Sequence, residues 1–365
     1  MAYLKFFFLL LSFCSYFSPL FAAEKEPLVF LNWADYMDPE LLQEFQRQTG
    51  IEVKEVYYAS DEARDELLAS NQGAGYDLLL VSGFMLKSYV DQGWLSPLPQ
   101  PLPASIKTID PRWLDVFPVA QSYAVPYFWG TLGIAYRSDL VATPMTSWQG
   151  IAYRSDLVTT PMTSWQHFFE PDKSLVGKLT LMDSGREVVG MALKSLGYSA
   201  NSTNAQALNE ALALMHEQGP SVGSYSYVDL DETSSLLSGE TLAAMMYSGD
   251  ALMLQEHNDN IEYVLPSEGG NIWVDYLTVS SKSTNQDAAW QFVEFLNQPK
   301  IAARLAEYVY CAPPNLAAHE YLSEEFLEDA TIFPSSQALA SSEFFSPMPA
   351  RLVRKLTKSF QQLVD

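Results

Sequence analysis

Apolar and polar positions fall into blocks along the first quarter of the chain, and the length and period of each block select one element. Residues 28–31 are a short, continuous apolar run, as expected of a buried strand. Asp38 followed by Pro39 marks a helix start, because the carboxylate satisfies free N–H groups and proline loses no hydrogen bond in a first turn. Gly50 marks its end. Residues 51–57 read as the next strand, 61–70 as an amphipathic helix and 77–81 as a buried parallel strand. Strands alternating with helices in this order predict a doubly wound α/β layer. Ligands of such layers gather at the carboxyl ends of the strands, where Trp33, Asp35, Ser82 and Phe84 fall.

Prolines recur through residues 97–103, which read as a loop, and residues 122–125 and 131–137 read as extended. A second α/β stretch follows, with a strand at 178–182, helices at 186–196 and 205–218, a strand at 241–247 and a helix at 251–257. Residues 261–265 and 272–280 are strands again. Residues 285–310 read as two helices broken at Pro299, and the tail beyond Pro313 is irregular until a last helix over 350–363.

Residues 133–149 and 150–166 match at sixteen of seventeen positions, a tandem duplication. Two units do not build a solenoid, which needs about three or more. Only one Gly-Ile-Ala-Tyr occupies a given sheet register, so about one copy's worth of chain is expected as a surface excursion. The alternative is that the second strand adds to a sheet edge.

Composition narrows the class. The 365 residues are 48% hydrophobic, enough for two domains with cores. Lys5, the apolar run 6–17 and the small pair Ala22-Ala23 predict a cleaved export signal over residues 1–23, too short to span a membrane. Cys14 invites a lipid-attachment reading, but Phe13 stands where such a signal wants a small residue. Loss of the leader leaves Cys311 as the one cysteine, so no internal disulfide is expected. The formal charge is −23, and removing Lys5 with the leader makes it −24. That balance argues against nucleic acid or an anionic membrane as partner, and it steers cationic ligands inward; acidic solubility is the plain alternative.

The chemistry lies in two stretches. Trp273-Val274-Asp275 follows Glu268-Gly269-Gly270, and Asn32-Trp33-Ala34-Asp35-Tyr36 repeats its pairing of aromatic faces with a carboxylate at the end of a strand-like run. A ring face attracts a cation and a carboxylate accepts its ammonium hydrogens, so the two stretches suggest a cleft closing on an organic polycation. Each residue also has a plainer reading. Trp273 and Asp275 alternate as any half-buried strand does, and Asp35 suits a turn. Glu187 suits a helix first turn, and Asp250 a cap. The four histidines lie far apart and no nucleophile elbow or phosphate-cradling glycine loop occurs, so no metal, cofactor or catalytic residue is expected.

At this point the residues resemble the periplasmic polyamine-binding proteins, the spermidine/putrescine receptors of bacterial ABC importers. The resemblance runs from about Leu28 to the C-terminus. It rests on Asn-Trp-Ala-Asp-Tyr at Asn32, Val-Ser-Gly-Phe at Val81, Trp-Gly-Thr-Leu-Gly at Trp129 and Gly-Arg-Glu-Val at Gly185. Tyr-Ser-Gly-Asp at Tyr247, Glu-Gly-Gly-Asn-Ile-Trp-Val-Asp at Glu268 and Pro-Pro-Asn-Leu-Ala-Ala at Pro313 complete it. It implies a type II periplasmic binding protein of two α/β lobes with ligand in the cleft between them. The expected division is 24–132 plus 274–319 for lobe 1 and 133–273 plus 320–365 for lobe 2.

The resemblance further implies that Trp33 and Tyr36 contact the polyamine chain with Asp35 beside a terminal amine, and that Ser82 and Phe84 form wall. Glu187 holds one end, Tyr247 stands where tryptophan is usual, Asp250 matches a carboxylate of the putrescine binders, and Trp273 and Asp275 are the central pair. Ser184, Cys311 and Phe345 depart from an expected aspartate, tyrosine and glutamine, which leaves the polyamine class intact and the preferred length open. The partner implied is an inner-membrane ABC permease; the alternative is a membrane sensor receptor, as for relatives that report norspermidine in biofilm control.

Overall fold

The computed structural model describes residues 26–141 and 162–364. The expectations for the leader at 1–23 and for the excursion or edge strand over 142–161 lie outside the described residues.

Strand β1 (Leu28–Trp33) pairs in parallel with β2 (Val53–Tyr58) and β3 (Leu78–Ser82). The helix between β1 and β2, Pro39–Thr49, starts as its sequence dictates. Asp38 accepts a hydrogen bond from the Glu40 N–H at 2.8 Å, Pro39 opens the first turn, and Gly50 closes the helix at φ 71°, where a side chain would be strained. The Asp61–Ser70 helix is capped by Ser60, whose hydroxyl accepts from the Ala63 N–H at 3.1 Å.

The strand β4 (Val125–Arg137) ties the molecule together. Its first half lies antiparallel to β9 (Ile272–Val279), which also pairs with β3; its second half pairs with β7 (Ala243–Tyr247) and β8 (Ile261–Val264). Beyond β7 lie β5 (Leu179–Leu181) and β6 (Val222–Tyr225), so the path runs β2-β1-β3-β9-β4-β7-β5-β6. Two extended pieces were expected where β4 runs unbroken. All thirteen of its residues are buried, so the strand offers no alternation to read, and Tyr127-Phe128-Trp129 looks like a lead-in. A short helix, Ala120–Tyr123, precedes it. The half-exposed β6 escapes the sequence for the opposite reason: it is a Gly/Ser-containing edge with no apolar run.

Two cores flank this path. The first gathers Phe30, Phe45, Phe292 and Phe295, with the Phe45 and Phe292 rings 4.8 Å apart. The second gathers Ile134, Trp165, Phe168, Met191 and Leu193. Trp165 is fully buried and its indole N–H donates to the Gly269 carbonyl at 2.9 Å. The duplication therefore enters the fold from both copies: residues 133–137 of the first complete β4, and Trp165 of the second fills the core beside it. The tail packs first in one core and then in the other. Leu322, Phe326 and Ile332 pack in the first core, whereas Phe345, Leu356 and Phe360 pack in the second. These apolar anchors sit in a tail too irregular to show its destination by period. The fold is α/β as expected, with two cores flanking the shared strands β4 and β9 and a cleft between them.

Candidate functional site

Strand ends and helix starts meet in the cleft. Trp33 ends β1, and the chain then turns through Asp35 at φ 55°, a left-handed conformation that aspartate tolerates better than most residues. Ser82 ends β3 and sits opposite Asp275 in the β3–β9 ladder. Trp273 and Asp275 are two residues apart on β9 and share a face. Gly130 of β4 makes room for the indole, because a Cβ there would lie 2.5 Å from Trp273 Cζ2. Three carboxylates stand in helix first turns: Asp61, Glu187 of the Gly185–Ser195 helix and Asp250 of the Ser248–Gln255 helix.

All ten expected residues line one cavity of about 870 Å³: Trp33, Asp35, Tyr36, Ser82, Phe84, Glu187, Tyr247, Asp250, Trp273 and Asp275. The wall holds more than these. Asp61, Asp183, Asp229, Asp231 and Glu256 raise its carboxylates to nine, and among the described residues it contains no lysine or arginine. Asp61 reads in sequence only as an acid at a helix start. The run Tyr225-Ser226-Tyr227-Val228-Asp229-Leu230-Asp231 sets two rings and then two acids at every second position, the one signal that could have found the loop.

Burial sets the electrostatics. Glu187 is 8% exposed, and desolvation pushes its carboxyl up to about 8 even though Tyr247 donates a hydrogen bond to it at 2.5 Å. Asp250 is raised to about 7 by burial, with Asp35 adding to the push. Asp275 is raised to about 7 by burial first and the Asp61 charge second, while Arg64 pulls it back. Three buried acids that resist ionisation in the same cavity are what an arriving cation would relieve.

Rings form the remaining wall. Trp33 packs on Tyr58 at 4.5 Å and Tyr227 at 5.9 Å, and Trp273 meets Tyr247 edge-on at 5.7 Å. The Trp273 indole N–H and the Tyr36 hydroxyl are buried without a well-formed hydrogen bond. Both are groups that a bound ligand or water would satisfy. Of the three departures, Ser184 does not line the cavity and its neighbour Asp183 does. Cys311 lines it as a buried thiol, with Tyr310 beside it hydrogen-bonded to Glu256 at 2.8 Å. Phe345 is held between the Arg186 guanidinium, 3.8 Å above its ring, and Phe84, whose ring lies 6.0 Å away. Among the described residues, no group of three or more His, Cys, Asp or Glu is placed to hold a metal ion, and no helix is long and apolar enough to cross a membrane.

Residues 40–334 match the family of bacterial extracellular solute-binding proteins. The spermidine/putrescine-binding periplasmic protein of Salmonella typhimurium is 29% identical over 325 residues, spanning 88% of this chain and 87% of its own length. The norspermidine sensor of Vibrio cholerae is 27% identical over 321 residues, spanning 87% and 83%. Among solved structures, the spermidine/putrescine ABC transporter substrate-binding protein of Streptococcus pneumoniae superposes with a TM-score of 0.74 at 30% identity. That match covers 93% of this chain and 98% of the other.

Proposed function

The chain belongs to the bacterial extracellular solute-binding proteins, and from that premise we propose that it is a periplasmic receptor that captures a linear polyamine between its two lobes. The observation that carries the reading is the cavity wall, with nine carboxylates, twelve aromatic side chains and no lysine or arginine among the described residues. Such a wall repels anions and suits a ligand whose positive charges are separated by methylene groups. Each ammonium pairs with carboxylate oxygens, and the methylenes lie on ring faces that exclude water. A desolvated cation on a ring contributes up to about 2 kcal/mol, so several such contacts with charge pairing support micromolar or tighter binding.

The roles follow the geometry. Glu187, presented with Tyr247, takes one end of the ligand; Asp275 and Trp273 take its centre; Asp250 and Asp35 take the other end. Trp33, Tyr36, Ser82 and Phe84 complete the wall. We assign the protein no chemistry beyond capture and release. The leader at 1–23 would deliver it to the periplasm. We propose a first lobe of 24–132 with 274 through at least Ile332 and a second of 133–273 with the tail from Phe345, because Leu322, Phe326 and Ile332 pack in the first core and Phe345 in the second.

Delivery to an inner-membrane ABC permease is the leading use of the captured ligand, and the likeness to the Streptococcus pneumoniae transporter component supports it. The likeness to a norspermidine sensor favours a second reading, in which the liganded form docks on a membrane signalling receptor. Neighbouring permease and ATPase genes would favour the first reading, a membrane-sensor gene the second. Calorimetric titration with putrescine, spermidine, norspermidine and spermine tests the class: saturable one-to-one binding of at least one is expected, and no heat from any at millimolar ligand overturns it.

A further inference from the structure

Asp61 is the carboxylate of the cleft with the most elaborate support. Its carboxylate oxygen lies 2.7 Å from Arg64 Nη1 and accepts a hydrogen bond from the Ser82 hydroxyl at 2.9 Å. Arg64 is fully buried and is itself fixed by Tyr89, whose hydroxyl accepts from its Nε at 2.8 Å, and by the faces of Tyr58 and Tyr89. A buried arginine on an amphipathic helix is costly unless it is fully paired. A Ser60-capped helix start needs no such device for its own stability. The arrangement points one oxygen-bearing group into the cavity from the first lobe, within electrostatic range of Glu187 on the second lobe and of Asp275 between them.

We propose that Asp61, positioned by Arg64 and Ser82, is a specificity-determining residue that adds an anionic station between Glu187 and Asp275, so that the cleft prefers linear polyamines with three or more ammonium groups over diamines. The proposal rests on the polyamine reading above and deepens it. Glu187, Asp61, Asp275, Asp250 and Asp35 all line the cavity, with Asp61 acting electrostatically on both Glu187 and Asp275, and Asp35 on Asp250. A diamine reaches two stations only and can settle on whichever pair remains when one is neutralised. A triamine needs three stations at once, so losing Asp61 costs it a partner that a diamine does not use. Asp183 and Tyr227 line the same cavity, and Glu62, on the same helix as Asp61, is pushed up to about 7 by burial.

The test compares spermidine and putrescine by calorimetry on the wild-type protein, Asp61→Asn, Ser82→Ala and the double variant Asp61→Asn/Arg64→Met, which also removes the buried cation that Asp61→Asn alone leaves unpaired, with thermal unfolding of each as a folding control. Wild type is expected to favour the triamine, and Asp61→Asn to lower the triamine-to-diamine affinity ratio by about tenfold or more. Ser82→Ala, which removes a hydroxyl that contacts both Asp61 and Arg64, lowers the ratio by about threefold. A purely structural Asp61 would lower the unfolding temperature and leave the ratio of the double variant at the wild-type value, and that result overturns the proposal. An equal loss for both ligands overturns it as well, while leaving polyamine binding intact. Absence of binding to either ligand in the wild type sinks the parent reading and this proposal with it.

Discussion

Filling this cleft with a polyamine is expected to expel protons, and the number follows from three carboxyls. Glu187 is held up at about 8, and Asp250 and Asp275 at about 7, each chiefly by burial. In the empty cleft at pH 7, Glu187 is therefore mostly protonated and each aspartate about half so. An ammonium against each carboxyl favours the ionised form, so binding releases roughly two protons at pH 7, nearer three at pH 6 and about 0.7 at pH 8. Protons leave on binding, so affinity falls as pH falls, by about two orders of magnitude between pH 7 and pH 6. The sign for the empty protein is the reverse of the usual acid case. The folded state holds these protons more tightly than the unfolded chain, so its stability declines as pH rises from about 4 to about 8. Titrating spermidine at pH 7 in phosphate and in Tris, which differ in protonation heat, gives the proton count directly. Release of less than about half a proton, with affinity flat from pH 6 to 8, would refute the reasoning.

Three substitutions probe separate parts of the account. Asp275→Ala leaves an ammonium unpaired in a buried place and is expected to weaken polyamine binding by at least about tenfold, read by calorimetry; unchanged affinity means the central acid is misplaced. Trp273→Ala removes one ring face and is expected to weaken binding by roughly 2 kcal/mol or less, so it ranks below Asp275→Ala in the same titration. Trp165→Ala empties a fully buried site in the second core and orphans the Gly269 carbonyl, with an expected loss of about 3–5 kcal/mol in urea unfolding.

How much of this was legible depends on where each signal lives. Asp38-Pro39 and Gly50 announce a helix because caps are local chemistry, and the structure starts and stops that helix there. The ten cavity residues were reachable because strand ends in an α/β layer converge and because the family likeness named positions along the chain. Asp61 was missed because an acid in a helix first turn is favourable wherever it points. Arg64 was missed because a charged residue on an amphipathic helix is expected outside, and only the Tyr58, Tyr89 and Asp61 partners brought by folding make its burial tolerable. The continuous β4 and the late return of the tail are both set by tertiary packing, through full burial in the first case and by Leu322, Phe326 and Ile332 in the second.

A crystal structure with spermidine bound tests the central claim most directly. The account predicts an extended chain lying on the Trp273 ring, with nitrogens between Glu187 and Asp61, beside Asp275 and beside Asp250. Spermidine seated on another face of the protein, with this cavity holding only water, would contradict it.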